Sequence, residues 1–219
     1  MLNGATAYAG LRDAILKGRL MAGDRLVAQR IATDMGVSRT PVKEALARLE
    51  SEGLVVRAGN WGYSVRTISM RDAEEIFEAR LVIEVASAER AAQRATEAET
   101  DAMAKLLSTS RRHLKAKDLA EFQHCSRGVH ELIAQATGNA QLVRMFKQVN
   151  DLVVLFGVSL LRANPTRAPE ILGENEAIVD AVQQRRSDEA ARLMRRHIEN
   201  GHASFRNAAA AIRPAVSVF

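Results

Sequence analysis

The sequence predicts a mainly α-helical protein in two parts: a small basic module that closes with a hairpin, and a larger all-helical antiparallel bundle. Three observations carry this. Only 4 Pro and 13 Gly interrupt 219 residues, and Ala, Leu, Glu and Arg, which sit easily inside helices, recur at helical spacing over long segments. β-type runs are confined to a short stretch after Gly53. Charge is uneven, because residues 1–68 hold ten Lys and Arg against six Asp and Glu, a net +4 of the chain's +5. A basic module followed by a nearly neutral one is an electrostatic footprint of nucleic-acid binding, although a solvated basic face gives the same count.

The first module reads helix, helix, helix, hairpin. Tyr8, Leu11, Ile15 and Leu16 give a helix over Ala5–Lys17, and "MAGDRL" ends it. A second helix runs from about Val27 to Met35 and stops at Gly36, a residue suited to a left-handed C-terminal cap. Ser38 is placed as the N-cap of a third helix, with Val37 and Val42 set to form a hydrophobic staple. Next come "LVVR" and "YSVR" around "AGNWG", whose Asn60 and Gly62 are turn formers, so a two-stranded hairpin follows directly. The whole is a winged helix-turn-helix over residues 1–68.

Ser69 restarts helix. From Met70 to about Ala211 only helices are expected, with breaks near Thr96, Lys117, 137–139, 164–169 and 186–188. That gives six helices in an antiparallel bundle over 69–211, and a tail at 212–219 that frays. The single cysteine, Cys125, excludes an intrachain disulfide and fits a reducing compartment. The start "MLNGATAYAGLRD" lacks the pattern of a signal peptide. The longest apolar run, Leu152 to Leu161, falls short of the ~20 residues that cross a bilayer. A cytoplasmic protein with no membrane partner is expected.

The third helix carries two different faces. Val42, Ala45, Leu46 and Leu49 form one stripe, while Arg39, Thr40, Lys43 and Ala47 fall on a sector roughly opposite. Cations at a helix N-terminus oppose its dipole, so they make sense where an external polyanion supplies the missing charge. In a helix-turn-helix these residues enter the DNA major groove. Arg39 is the candidate base reader, since arginine grips guanine bidentately, and Ser38, Thr40 and Lys43 are candidates for phosphate or nearby base contact.

"GVSRTPVKEALARLESEGLV" followed by "GNWGYSV" resembles the winged helix of GntR-family transcription regulators. The helical remainder resembles the ligand-binding domain of the FadR subfamily in its six-helix, VanR-like form. The resemblance implies DNA contacts by Arg30, Gln29 and the wing glycine Gly62. It departs from the family in two places: Gln29 stands where an arginine is common, and Asn60, Trp61, Gly62 stand where the wing often reads Asn-Arg-Gly. Trp61 is left either to wedge against sugar or to pack on the hairpin.

In the helical domain, polar residues share stripes with apolar ones. His130 and Ser126 lie with Phe122, Val129 and Ile133; Asn175 with Ile171, Ile178 and Val182; His197 with Ala190, Met194 and Gly201. Buried polar groups need partners, and a ligand is one kind of partner. In the resembling subfamily these four positions commonly hold Asp, His, His and His around a divalent metal. Here Ser126 and Asn175 replace two of them, so His130 and His197 are left as a degraded metal pair for zinc or nickel. The other readings are a metal-free pocket for an organic anion and a satisfied polar core. Arg80 and Glu84, four apart, form either an ordinary helix ion pair or a pair whose Arg80 turns inward to clamp a carboxylate.

The function expected is a homodimeric, effector-controlled regulator, a repressor, that binds an operator in double-stranded DNA and responds to a small organic acid. Arg80, Ser126, His130, Asn175 and His197 are its candidate effector residues, and no catalytic residue is assigned. The competing readings are an architectural DNA-binding protein without effector and a histidine-based metalloenzyme, which would need a general acid or base beside His130 and His197.

Overall fold

The first unit takes its shape from one amphipathic helix. The computed structural model describes residues 4–59 and 62–212, the side chains of 159 and 209–212 excepted. Backbone packing divides the chain after Ile68 into two compact units, the first of which takes in residues 151–156. The first unit runs α1 (Gly4–Leu16), β1 (Arg25–Leu26), α2 (Ala28–Met35), α3 (Arg39–Ser51), β2 (Val55–Arg57) and β3 (Tyr63–Val65). Val42, Ala45, Leu46 and Leu49 of α3 are all buried, and they pack with Ala7, Leu11 and Ile15 of α1 and with Leu26, Leu54, Val55 and Val65. Each large apolar side chain enclosed in this way contributes about 1.5–3 kcal/mol.

The turn between α2 and α3 is built as its sequence requires. Gly36 is left-handed, at φ 65° and ψ 33°, and its N–H closes the last turn of α2 onto Ala32 and Thr33, a conformation that costs glycine little. Ser38 adopts the extended N-cap backbone, but its hydroxyl makes no capping hydrogen bond. Pro41 sits in the first turn of α3, where a missing N–H breaks no helical bond.

The hairpin has a third strand that the sequence does not announce. The sheet order is β1-β3-β2, with Val55 opposite Val65, Val56 opposite Ser64 and Arg57 opposite Tyr63, and Arg25 and Leu26 opposite Ser64 and Tyr63 on the other edge. A strand of two residues is too short to display an alternating pattern. Gly62 joins the strands under tight constraint: its φ is 151°, and a Cβ there would lie 3.2 Å from the Leu26 carbonyl oxygen. Asn60 and Trp61, and the tail from 213, lie outside the described residues.

The second unit is six helices: α4 (Met70–Arg94), α5 (Glu97–Lys115), α6 (Leu119–Gln135), α7 (Ala140–Ala163), α8 (Arg167–Gln183) and α9 (Ser187–Ile212). Side chains mark several of the starts. Ser69 with Asp72 and Thr96 with Glu99 form reciprocal capping boxes at α4 and α5, while Asp118 and Asn139 accept N–H bonds at α6 and α7. Loops of two to four residues reverse the chain between neighbours. α4 packs chiefly on α9, α5 on α6 and α8, and α8 on α9. Phe77, Met103, Phe122, Ile133, Ile178 and Met194 are fully buried between them. Among the described residues no helix is long and apolar enough to cross a membrane.

Candidate functional site

Two surfaces carry chemistry, one in each unit. On the first, Ser38, Arg39, Thr40 and Lys43 are all exposed at the start of α3, and no acidic residue lies in that helix's first turn. Neighbouring cations are compensated internally. Arg48 lies 3.7 Å above the Tyr8 ring and 3.3 Å from Glu52, Arg57 is 3.2 Å from Glu50, and Arg30 is 4.0 Å from Asp34. No described residue pairs with Arg39 or Lys43. Both charges face outward from a helix end that is itself partially positive, an arrangement that binds phosphate. Gln29 and Arg30 are exposed on α2, and Gly62 lies at the hairpin turn, where close approach to Leu26 already requires glycine.

The second surface is a polar cluster in the helical unit, contributed by α4, α6, α8 and α9. Arg80 and Glu84, one helical turn apart, form an ion pair with Nε 2.6 Å from Oε1, their side chains only 11% and 6% exposed. The other Glu84 oxygen meets His130 Nδ1 at 2.5 Å. His130 Nε2 is 3.2 Å from Asn175 Oδ1, and Asn175 Nδ2 donates to Ser126 Oγ at 2.8 Å. The His197 ring lies against that of His130 with centroids 4.9 Å apart. All five residues singled out in the sequence therefore belong to one cluster.

A second half mirrors the first. His197 Nδ1 is 2.7 Å from Glu174 Oε2, and Glu174 is gripped by both terminal nitrogens of Arg167, at 2.8 and 2.6 Å, and by Asn200 at 2.7 Å. Each histidine is thus backed by a glutamate, and each glutamate by an arginine. Glu174, Arg167 and Asn200 are absent from the sequence reading. The i, i+7 spacing of Arg167 and Glu174 puts them near one face of α8, but their histidine partner is on another helix.

The protonation states follow from burial and charge. Burial alone would raise the Glu84 pKa, but the Arg80 charge, then His130 and the hydrogen bonds from both, outweigh it and hold the carboxyl well below its ordinary range. Glu174 is likewise raised by burial and lowered more strongly by its bonds to His197, Arg167 and Asn200, to about 2. His197 is pushed down to about 4, first by burial and then by the charges of His130 and Arg80, against the pull of Glu174. At neutral pH it is therefore an uncharged ring whose Nδ1–H donates to Glu174. Its Nε2 lone pair has no hydrogen-bond partner among the described residues.

Comparison with known proteins settles the kind of molecule. Residues 75–200 match the FCD domain family, and residues 3–65 match the gntR family of bacterial regulatory proteins. The chain belongs to the GntR family. Among its GntR-family relatives, the Uxu operon transcriptional regulator of Escherichia coli (strain K12) is 31% identical over 212 residues, 88% of this chain and 82% of its own. The gluconate operon transcriptional repressor of Bacillus licheniformis is 25% identical over 189 residues, 84% of this chain and 77% of its own. The solved structure of E. coli McbR/YncC shares the fold with a TM-score of 0.83 at 20% identity, covering 93% of this chain and 97% of that one. As in other GntR regulators with an FCD domain, the helical unit is a ligand-binding effector domain joined to a DNA-binding one.

Some FCD domains hold a metal. Among the described residues, no three His, Cys, Asp or Glu side chains are grouped to hold one, and the donor set of this cluster does not fit a resident divalent ion. His130 has no free lone pair. With the Asn175 amide one way round, Nε2 is a donor to Oδ1; with the amide reversed, the Nε2 lone pair accepts from the amide nitrogen and Ser126 donates to Oδ1. In both cases Nδ1–H is spent on Glu84. His197 Nε2 is then the single imidazole donor left, and stable sites offer three or four good ligands.

Proposed function

We propose that this GntR-family protein is a transcription repressor that binds operator DNA as a homodimer in the cytoplasm and is controlled by a small organic acid. The observation that carries the DNA half is the pair of exposed cations Arg39 and Lys43 at the N-terminus of α3, paired with no described residue and in a turn without acids. Laid in the major groove, that end puts Arg39 at base edges and Ser38, Thr40 and Lys43 at phosphates or adjoining bases. Gln29, Arg30 and the Gly62 turn sit beside the backbone. Two half-sites read by two copies multiply specificity.

The effector half rests on the buried cluster of Arg80, Ser126, His130, Asn175 and His197, which offers an arginine and a neutral imidazole within one bundle. These groups suit a carboxylate with further hydroxyls, and the gluconate operon repressor among the relatives makes gluconate the first acid to try. The role is binding, not catalysis: both carboxylates that touch the histidines are locked in ion pairs, so neither is available as a general acid or base. Fluorescence anisotropy with DNA from upstream of its own gene tests the reading. It predicts salt-sensitive binding that prefers this DNA over a scrambled duplex and changes in strength when an organic acid is added. Equal affinity for both duplexes at every salt concentration sinks it.

A further inference from the structure

We infer that the effector site of this chain works without a metal ion, with the Arg80 guanidinium as its standing positive charge and a hydroxylated monocarboxylate as its ligand. The inference rests on the effector reading of the helical unit given above. A divalent ion needs unspent anions and lone pairs, and the cluster has spent nearly all of its own. Glu84 is shared between Arg80 and His130. Glu174 is shared between Arg167, His197 and Asn200. Ser126 and Asn175 are neutral and hydrogen-bonded to each other. An ion entering here would have to break these bonds to gain a ligand set with one free imidazole nitrogen.

What remains open matches an organic anion instead. Arg80 spends only Nε on Glu84, and no described residue accepts a hydrogen bond from its two terminal nitrogens. That planar edge takes a carboxylate bidentately. Arg80 is joined to His197 through Glu84 and the His130 ring, and the Nε2 of His197, an acceptor because Nδ1 donates to Glu174, needs a donor. A ligand hydroxyl supplies it. Glu84 takes Nε alone and leaves the terminal edge of Arg80 open, whereas both terminal nitrogens of Arg167 are taken by Glu174, so a second carboxylate on the ligand would find no open guanidinium edge.

The test compares the natural chain with the Ser126→Asp, Asn175→His double variant. Each is loaded with zinc or nickel, desalted and assayed for bound metal, and each is melted with gluconate or hexanoate in the presence and absence of chelator. The expected result has four parts: the natural chain retains far less than one metal per protomer; gluconate raises its melting temperature equally with and without chelator; hexanoate, lacking hydroxyls, raises it less; and Arg80→Gln removes the gluconate response. The double variant, which restores two ligands, retains about one metal per protomer. Stoichiometric metal in the natural chain that is lost in His197→Ala overturns the inference, as does an acid response that appears only with added metal. The natural-chain arm decides this even where the double variant fails to fold. Absence of any acid response, with or without metal, instead overturns the effector reading and the inference with it.

Discussion

Replacing His197 with asparagine removes a proton-binding group while keeping an N–H that can reach Glu174, and its effect on acid stability can be worked out from the cluster. The folded ring has a pKa of about 4 against an ordinary 6.5, so as pH falls the unfolded chain takes the proton first. Stability is complete above pH 6.5 and is lost as pH falls toward 4. The gap corresponds to roughly 3 kcal/mol in full, of which about 2 kcal/mol is lost between pH 7.5 and 5. Glu174 acts in the same direction, because its folded pKa of about 2 lies below the ordinary 4.5, but its loss falls mostly below pH 5 and adds little over this range. The natural chain should therefore lose about 4–8 °C of melting temperature through His197 over this range. Differential scanning calorimetry of both proteins at pH 7.5 and 5 reads the quantity as the difference between their two drops. Equal drops would show that burial does not keep His197 neutral, and the argument from burial and neighbouring charge would fail.

Arg39→Ala should weaken operator binding by about 1–3 kcal/mol and relax base preference, whereas Lys43→Ala should weaken all duplexes alike and lower the salt slope by about one, both read by anisotropy titration. Glu84→Gln leaves the nearly enclosed Arg80 without its partner and should cost about 3–5 kcal/mol, seen as a lowered urea midpoint. At Gly128 a Cβ would lie 2.7 Å from Leu106 Cδ2, the tip of a half-buried side chain that can turn aside, so Gly128→Ala should cost no more than about 1 kcal/mol once alanine's better helix propensity is counted, measured by thermal melting. Gly62→Ala should destabilise the hairpin through its approach to Leu26 and lower DNA affinity even at high salt, where a lost phosphate contact would matter least.

The helices were legible because their signals are local. Gly36, Ser69, Thr96 and Asn139 stop or start helices through their own backbone and side-chain bonds, and the α3 stripe of Val42, Ala45, Leu46 and Leu49 buries as its period requires. β1 was not legible, because Arg25 and Leu26 become a strand only through β3. The cluster was legible in half. Ser126, His130, Asn175 and His197 stood out as polar residues on apolar stripes, and Arg80 with Glu84 as a spaced pair. Glu174 and Arg167 did not stand out, because charged residues on a helix ordinarily face water; their burial depends on a histidine from α9 that meets them only in three dimensions. Ser38 takes the expected N-cap position of α3, although its hydroxyl makes no capping bond.

The paired arginine–glutamate–histidine chains constrain how such a regulator can change over generations. A leucine in an apolar seam can be exchanged for methionine one position at a time, but each member of these chains satisfies another. Losing Glu84 strands Arg80 and His130 together, and losing Glu174 strands Arg167, His197 and Asn200. Relatives that depart from this arrangement should therefore differ at several of these positions at once. A transplant of the pocket into another six-helix scaffold would have to carry Arg80, Glu84, His130, Arg167, Glu174 and His197 as a single inheritance.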